Sequence, residues 1–339
     1  MKENRNTDEI IISVVMPTYN SESTIEKSLS SIRGQNFEQS QIEIIVVDGG
    51  SNDRTLEIAN KYRSIILYNP ERLPEAAKLI GVKAAKGHFL FMIDSDEVIC
   101  DNDSFNRRIE FMTKNKEIHG SYYDLKSYRG YNPICTYMND AGDPFSCFTY
   151  KRWGNTKYNL KRNLIGISDL GNIYHFNDLE LIPIGDSNTV MDLDYIRSKY
   201  PQESETYEPA VLWDIVIRDN GLVGWSEKDF VYHLSACDFK TYLKKLKFRV
   251  VNNIHDVNGS GYSFRAQNDK TLSRRKYIYP FYCISIVFPI IDGIKMSILH
   301  KKMVFMLHPV FAWYVMLEIV IQYTKKLVGA RSTNTSYGK

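Results

Sequence analysis

Short apolar runs alternate with amphipathic segments through the first hundred residues. The runs at 10–16, 42–47 and 65–68 are rich in β-branched residues, which is typical of strands buried on both faces. Between the first two, Ile25, Leu29 and Ile32 recur at helical spacing, and Gly34 can end that helix. This alternation of strands and helices predicts an α/β fold with a mainly parallel sheet and right-handed crossovers.

A fourth apolar run, GHFLFMI at 87–93, leads directly into Asp94, Ser95, Asp96 and Glu97. Three carboxylates at the end of a buried strand repel one another unless a divalent cation lies between them. Such an ion keeps positions free for phosphate oxygens, so the motif favours a nucleotide diphosphate as ligand. The alternative reading is a solvated acidic turn that closes the strand.

Tyr19 and Asp48 also directly follow, or end, predicted strands. Ligands of parallel α/β sheets bind beyond the carboxyl ends of the strands, so these residues and the acidic motif are expected to share one site. The chain lacks Gly-x-Gly-x-x-Gly and the Gly-Lys-Ser/Thr of a P-loop, which argues against a dinucleotide dehydrogenase and a P-loop enzyme.

Three blocks resemble family 2 glycosyltransferases of the GT-A fold: SVVMPTYN at 13–20, IIVVDGGSNDRT at 44–55 and PEAAKLIGVKAAKGHFLFMIDSDE at 74–97. They occur in the order and spacing of that family. The resemblance implies a Rossmann-like mixed sheet with helices on both faces. It also implies a nucleotide-sugar donor, with a UDP-sugar as first expectation, a divalent Mn²⁺ or Mg²⁺, and transfer with inversion.

The resemblance also assigns roles to individual residues. Lys78 stands where the family usually has arginine, so it offers a point charge without the planar fork. His233 follows a predicted strand at 223–232 and could complete a metal site, although a lone histidine is more often structural. The implied metal ligands are Asp94, Asp96 and His233. The implied donor-binding residues are Pro17, Thr18, Tyr19, Asn20, Asp48, Gly50, Lys78, Asp94 and Ser95.

A helix predicted within 205–221 carries the candidates for the catalytic base. Pro209 suits the first helical position, so Glu208 is predicted as the N-cap, with its carboxylate facing the positive end of the dipole. The family commonly places Glu-Asp at the start of a helix here, whereas this chain has Val-Leu in direct register. Glu208 is the first candidate and Asp214 the second. The structural alternatives are helix capping for Glu208 and an i,i+4 pair with Arg218 for Asp214.

The C-terminal third combines apolar runs with basic clusters. A lysine-rich amphipathic helix is predicted from Phe239, and apolar runs follow at 277–291 and 303–323, each interrupted by proline. Basic residues lie before, between and after the runs, so a spanning hairpin would violate the positive-inside rule. The pattern favours helices at the membrane interface, with an integral hairpin as the alternative. The predicted domains are 1–235 (catalytic), 236–330 (helical, membrane-associating) and 331–339 (a disordered tail).

Composition narrows the partners and the location. The formal net charge of +3 is too small to indicate nucleic acid as a partner. The five cysteines are scattered and odd in number, and the N-terminus lacks a signal-peptide pattern, so we expect the cytoplasmic face of a membrane. The predicted acceptor is a saccharide or, more specifically, a lipid-linked glycan on polyprenyl phosphate or diphosphate. The alternatives are a nucleotidyltransferase and a non-catalytic scaffold.

Overall fold

The structure is a computed structural model of the 339-residue chain, and it describes residues 9–128, 130–150, 163–177, 187–235, 237–255 and 274–330. These residues divide into two compact units. The first contains 9–128, 163–177 and 187–234, and the second contains 130–150, 235, 237–255 and 274–330. The unit boundary is next to the predicted boundary at 235, but residues 130–150, predicted within the first domain, belong to the second unit. The predicted tail at 331–339 lies outside the described residues.

The strands of the first unit form one sheet. They are β1 (Ile12–Thr18), β2 (Ile42–Asp48), β3 (Ile65–Tyr68), β4 (Phe89–Met92), β5 (Glu97–Ile99), β6 (Gly120–Ser127), β7 (Leu164–Ile167), β8 (Asn172–His175), β9 (Thr189–Asp192) and β10 (Leu222–His233). Their order is β3-β2-β1-β4-β9-β6-β10-β8-β7, and β5 pairs with β10. The first four strands are parallel, as predicted, and β9 inserts antiparallel between β4 and β6. The mixed sheet implied by the resemblance is therefore confirmed.

The helices are α1 (Ile25–Arg33), α2 (Thr55–Lys61), α3 (Pro74–Ala84), α4 (Ser104–Lys114), α5 (Pro133–Ala141), α6 (Pro144–Thr149), α7 (Leu193–Lys199), α8 (Pro201–Thr206), α9 (Pro209–Asn220), α10 (Phe239–His255), α11 (Tyr279–Ile284), α12 (Val287–His300) and α13 (His308–Leu327). In the first unit, all seven residues of β1 and of β2 are buried, because helices pack on the sheet. Gly81 of α3 is required there, since a Cβ at this position would lie 2.3 Å from Cγ1 of Val15.

The second unit is built from α5, α6 and α10–α13. Its core is aromatic and includes Tyr137, Tyr242, Phe305 and Phe311, all at most 1% exposed. The prolines that interrupt the apolar runs lie in the first turns of α11, α12 and α13, where they break the runs into separate helices. One described helical segment, Met303–Leu327, is long and apolar enough to cross a membrane when judged by length and composition alone.

Polar residues of the apolar runs lie inside the second unit. His308 is 1% exposed, and its Nδ1 and Nε2 lie 2.7 Å and 3.0 Å from the hydroxyls of Tyr137 and Tyr282. The Tyr282 hydroxyl also donates to Oδ2 of Asp292 at 3.0 Å. Burial lowers the pKa of His308 to about 3 and raises the pKa of Asp292 to about 6. Glu318, also buried, lies 3.4 Å from Nζ of Lys247.

Candidate active site

The loops after β1 and β2 are joined by backbone and side-chain hydrogen bonds. Gly49 N donates to the carbonyl of Thr18 at 2.9 Å, and Asn20 N donates to Oγ of Ser51 at 2.8 Å. Asn20 has a left-handed backbone (φ 49°), and its Oδ1 accepts from Asn52 N at 2.9 Å. Tyr19 packs beside this turn: a Cβ on Gly49 would lie 3.4 Å from Cδ2 of Tyr19, in ordinary van der Waals contact.

Asp48 organises the Gly-Gly turn. Its carboxylate is buried and accepts hydrogen bonds from the backbone N–H groups of Gly50 and Ser51, both at 2.8 Å, and from the Ser51 hydroxyl at 2.5 Å. Gly50 has φ 87°, which explains why glycine follows Gly49. Pro17 and Thr18 end β1 next to this turn, and Oγ1 of Thr18 is buried without a hydrogen-bond partner among the described residues.

The loop after β4 contacts both α3 and the loop after β1. Nζ of Lys78 lies 3.5 Å from Oδ1 of Asp94, and the Lys78 side chain is almost fully buried. The Ser95 hydroxyl donates to the Ser21 hydroxyl at 2.9 Å. The structure therefore brings a buried cation to the first aspartate of the acidic motif, at the edge of the sheet where the turn around Asp48 also lies.

Asp96 and His233 are 137 residues apart in the chain and adjacent in the structure. Oδ2 of Asp96 lies 3.0 Å from Nε2 of His233, the last residue of β10. The backbone reinforces this contact, since Leu234 N donates to the Asp96 carbonyl at 2.6 Å and Glu97 pairs with His233 across β5 and β10. The two side chains remain partly exposed.

The residue types at this edge fit a divalent cation. Carboxylate oxygens are the donors that Mn²⁺ and Mg²⁺ prefer, and an imidazole nitrogen is acceptable to Mn²⁺. Asp96 and His233 are already in contact, and Asp94 lies in the same loop after β4 as Asp96. Across the described ranges, however, no group of three or more histidine, cysteine, aspartate or glutamate side chains is arranged to hold a metal ion.

Glu97 is buried, and the sequence counted it among the three carboxylates of the acidic motif without giving it a role of its own. Its Oε2 accepts from Asp94 N at 3.0 Å, and its Oε1 accepts from the Ser187 hydroxyl at 3.1 Å. Burial, followed by repulsion from Asp94, holds the pKa of Glu97 well above its usual range. Glu97 therefore holds the acidic turn in place through its hydrogen bonds with Asp94 and Ser187. Its partner Ser187 lies far along the chain, where no sequence signal points to it.

The two candidate bases lie at different positions along α9, one at its N-terminus and one within the helix. Glu208 is the N-cap, as predicted, and its side chain makes no capping hydrogen bond. Farther along the helix, Trp213 and Ile217 pack over Gly120, the first residue of β6. Asp214 instead pairs with Arg218, at 2.8 Å between Oδ2 and Nε.

A mixed α/β sheet with an Asp-x-Asp turn at the carboxyl ends of its strands is the architecture of GT-A glycosyltransferases. Residues 13–166 match the family described as Glycosyl transferase family 2, and this part of the chain belongs to that family. A solved structure with the same fold is the mannosyltransferase PcManGT from Pyrobaculum calidifontis, described in complex with GDP-Man and Mn²⁺. It has a TM-score of 0.55 and 11% identity, over 94% of this chain and 88% of that one.

Curated relatives match up to about a third of the chain. An uncharacterized glycosyltransferase from Haemophilus influenzae is 33% identical over 120 residues, which are 33% of this chain and 47% of that protein. The glucosyltransferase WfgD from Escherichia coli, named for UDP-Glc and a GlcNAc-diphosphoundecaprenol, is 30% identical over 121 residues, or 34% and 47% of the two chains. The poly(ribitol-phosphate) β-N-acetylglucosaminyltransferase TarS from Staphylococcus aureus is 38% identical over 93 residues, 26% and 16% of the two chains. The chain thus spans less than half the length of these relatives.

Proposed function

We propose that this protein transfers a sugar from a nucleotide-diphosphate donor, with a UDP-sugar as the first expectation, to an acceptor hydroxyl with inversion. The observation that carries the proposal is the convergence of three features at one edge of the sheet. These are the turn around Asp48 and Tyr19, the Lys78–Asp94 pair, and the Asp96–His233 pair. Family membership of residues 13–166 supports the same reaction class.

In the proposed mechanism the turn residues bind the nucleoside and Lys78 faces the diphosphate. Its ammonium group offsets the negative charge that grows on the leaving nucleoside diphosphate. Asp94, Asp96 and His233 would hold Mn²⁺ or Mg²⁺, which neutralises diphosphate charge when bound. Glu208 accepts the proton of the acceptor hydroxyl while the acceptor oxygen bonds to the anomeric carbon, opposite the departing nucleotide. Asp214 is the second candidate for this role.

The proposed acceptor is a lipid-linked glycan, and the surface of the second unit supports this choice. Most helices that face water bury apolar side chains and expose polar ones. Here α12 buries Asp292 and Ser297 but exposes Ile298 (72%), and α11 exposes Phe281 (71%). Large apolar side chains are exposed throughout 277–328, an area far beyond what a water-facing surface ordinarily carries. Basic clusters at 274–276, 300–302 and 325–326 flank it.

We propose that this surface rests on an anionic membrane without crossing it. The α10 and α13 helices run side by side: Phe239 packs on Phe311, Lys247 pairs with Glu318, and Nζ of Lys326 donates to the Ile254 carbonyl. Because α10 carries exposed lysines along this length, moving α13 across a bilayer would place those charges in hydrocarbon. An interfacial position keeps them in water. All five cysteines are free thiols, which agrees with a location at the cytoplasmic face.

A donor panel tests the reaction. The purified protein is incubated with UDP-, GDP-, CDP- and dTDP-sugars and Mn²⁺ or Mg²⁺, with and without a polyprenyl-diphosphate sugar, and free nucleotide is measured. We expect nucleotide release from one donor class, increased by the lipid acceptor and suppressed by a chelator. Pyrophosphate release from a nucleoside triphosphate and a sugar phosphate would instead identify a nucleotidyltransferase. No turnover with any pair would favour the scaffold.

A further inference from the structure

Arg72 lies over the turn around Asp48, outside the three sequence blocks that carry the family resemblance. Its guanidinium carbon lies 5.8 Å from the centroid of the Tyr19 ring. Its Nη2 and Nε would lie 3.6 Å and 3.9 Å from a Cβ placed on Gly50, and its Cα would lie 3.6 Å from one placed on Gly49. Arg72 therefore packs against the Gly49–Gly50 turn, beside Tyr19.

The loop that carries Arg72 is fixed by hydrogen bonds. Asn69, which is buried, donates its N–H to the Asp48 carbonyl at 2.8 Å and its Nδ2 to the Leu73 carbonyl at 2.9 Å. The Oδ1 of Asn69 accepts from Glu71 N at 3.1 Å. Arg72 itself has φ 58°, a left-handed conformation that an arginine rarely adopts. A strained backbone held by a defined loop is a recurrent feature of ligand sites.

The guanidinium of Arg72 is available to a ligand. The residue is exposed, and within the described part of the chain it makes no ion pair. The nearby Lys78 is already engaged with Asp94 and offers only a point charge. A guanidinium is planar, stacks on aromatic rings and donates in a fixed fork, so it can contact a nucleobase in ways that an ammonium cannot.

We propose that Arg72 is a donor-binding residue that contacts the nucleobase next to Tyr19. This inference rests on the proposed function, since it requires that the turn binds a nucleotide. Arg72 would then contribute to nucleotide affinity in a site where Lys78 stands in place of the arginine usual in the family.

The test compares two arginines at opposite ends of β3. Arg63 precedes the strand and Arg72 follows it, and both are exposed with left-handed backbones (φ 52° and 58°). Binding of UDP, UMP, GDP and GMP to the full chain is measured by calorimetry with Mn²⁺ present. The variants are Arg72→Gln, Arg72→Lys and the control Arg63→Gln. Arg72→Gly is added because glycine adopts the same φ without strain and guards against a folding defect.

We expect Arg72→Gln and Arg72→Gly to weaken the preferred nucleotide roughly tenfold, by the same factor for its mono- and diphosphate. Arg72→Lys should restore little, and Arg63→Gln should change nothing. A loss confined to the diphosphate, full rescue by lysine, or unchanged binding in the folded Arg72 variants would overturn the assignment while leaving the proposed function intact. Failure of the wild-type chain to bind all four nucleotides would overturn both.

Discussion

Asp96 links the loop after β4 to the end of β10. Its carboxylate contacts His233 and its carbonyl accepts from Leu234 N, so one residue fixes both the side chain and the backbone at the end of β10. The same carboxylate is also a proposed metal ligand. Two roles follow, and a single substitution can separate them because an amide keeps the shape but loses the charge.

Asp96→Asn is expected to lower turnover by orders of magnitude while the fold is retained. A neutral amide is a poor ligand for a hard cation, but it can still hydrogen-bond to His233. The measurement is nucleotide release at saturating donor, with the thermal unfolding midpoint recorded alongside. Asp103→Asn, an exposed carboxyl farther along the same segment, is the control and should retain activity. Full activity of Asp96→Asn with unchanged metal dependence would contradict the metal role.

Asp292 is expected to make stability depend on pH. Its folded pKa of about 6 lies above its ordinary value of 3.8, so burial favours the protonated form. The contribution of Asp292 to the free energy of unfolding should therefore be most favourable below about pH 4 and become less favourable as the pH rises from 4 to 6. Asp292→Asn removes this dependence and should stabilise the protein by up to about 3 kcal/mol at pH 8, but hardly at pH 4.

Denaturant unfolding at pH 4 and pH 8 measures this difference. The control is Asp238→Asn, at the exposed start of α10, where the carboxylate accepts from Thr241 N and asparagine caps equally well. Its hydrogen bonds to Thr241 lower the pKa of Asp238, so any effect of this control should be a small loss of stability at pH 8, opposite in sign to the gain expected for Asp292→Asn. Equal stabilisation by Asp292→Asn at both pH values would show that ionisation of this carboxyl is not the cause.

At the scale of elements, α9 separates the two candidate bases. Glu208 is at the N-terminus of the helix, whereas Asp214 is neutralised by Arg218 along its side. Glu208→Gln should abolish transfer yet leave nucleotide affinity unchanged, since the base touches the acceptor and not the nucleotide. Asp214→Asn should cost stability more than activity, because it leaves Arg218 without its carboxylate. Transfer assays and nucleotide titration of both variants decide between them. An active Glu208→Gln enzyme beside a dead but folded Asp214→Asn enzyme would reverse the assignment.

Sequence patterns predicted those strands and helices that depend on short stretches of the chain. Strands β1–β4 and their helices follow from apolar runs and caps, and the ends of these strands converge as parallel topology requires. Long-range pairings could not be read this way. The insertion of β9 joins it to residues of β4 about a hundred positions away and of β6 about seventy positions away, and nothing in TVMD specifies these partners. The mixed sheet was anticipated only from the family resemblance.

The candidate site shows the same division. Asp48 could be placed at a strand end from the sequence, but its acceptance of three hydrogen bonds within its own turn depends on local geometry. The contact between Asp96 and His233 was anticipated only as a shared metal site. The Glu97–Ser187 hydrogen bond and the position of Arg72 over Gly50 arise from loop packing, which single-residue patterns do not encode.

At the scale of the whole molecule, the proposed membrane position predicts a labelling pattern. In sealed anionic vesicles with the catalytic unit outside, Lys301→Cys should react with a membrane-impermeant thiol reagent before detergent is added. The background is low because four native cysteines are buried and burial raises the pKa of the Cys100 thiol to about 11. Arg63→Cys, in the first unit, is the accessible control. Protection of residue 301 until detergent is added would mean that the segment crosses the bilayer.

The proposed contact of this surface with the membrane can be weakened without disturbing the core. Ile298→Glu changes a side chain that is 72% exposed, so it should reduce sedimentation with anionic vesicles while leaving the unfolding midpoint nearly unchanged. Ile298→Val is the matched control and should bind as the wild type does. Unchanged vesicle binding by Ile298→Glu would remove α12 from the proposed contact.

The second unit is built from segments that are far apart in the sequence, and this affects how it can fold while the chain is being synthesised. α5 and α6 emerge early, yet the core they contribute to also needs Phe305 and Phe311, from the last forty residues. From the end of α6 at Thr149 to the start of α13 at His308, translation takes on the order of ten to thirty seconds. During that interval Tyr137 lacks Phe305 and Phe311, two of the rings that pack against it. A chain arrested before α13 would therefore present an open aromatic surface to chaperones and proteases, even with the strands of its first unit already made.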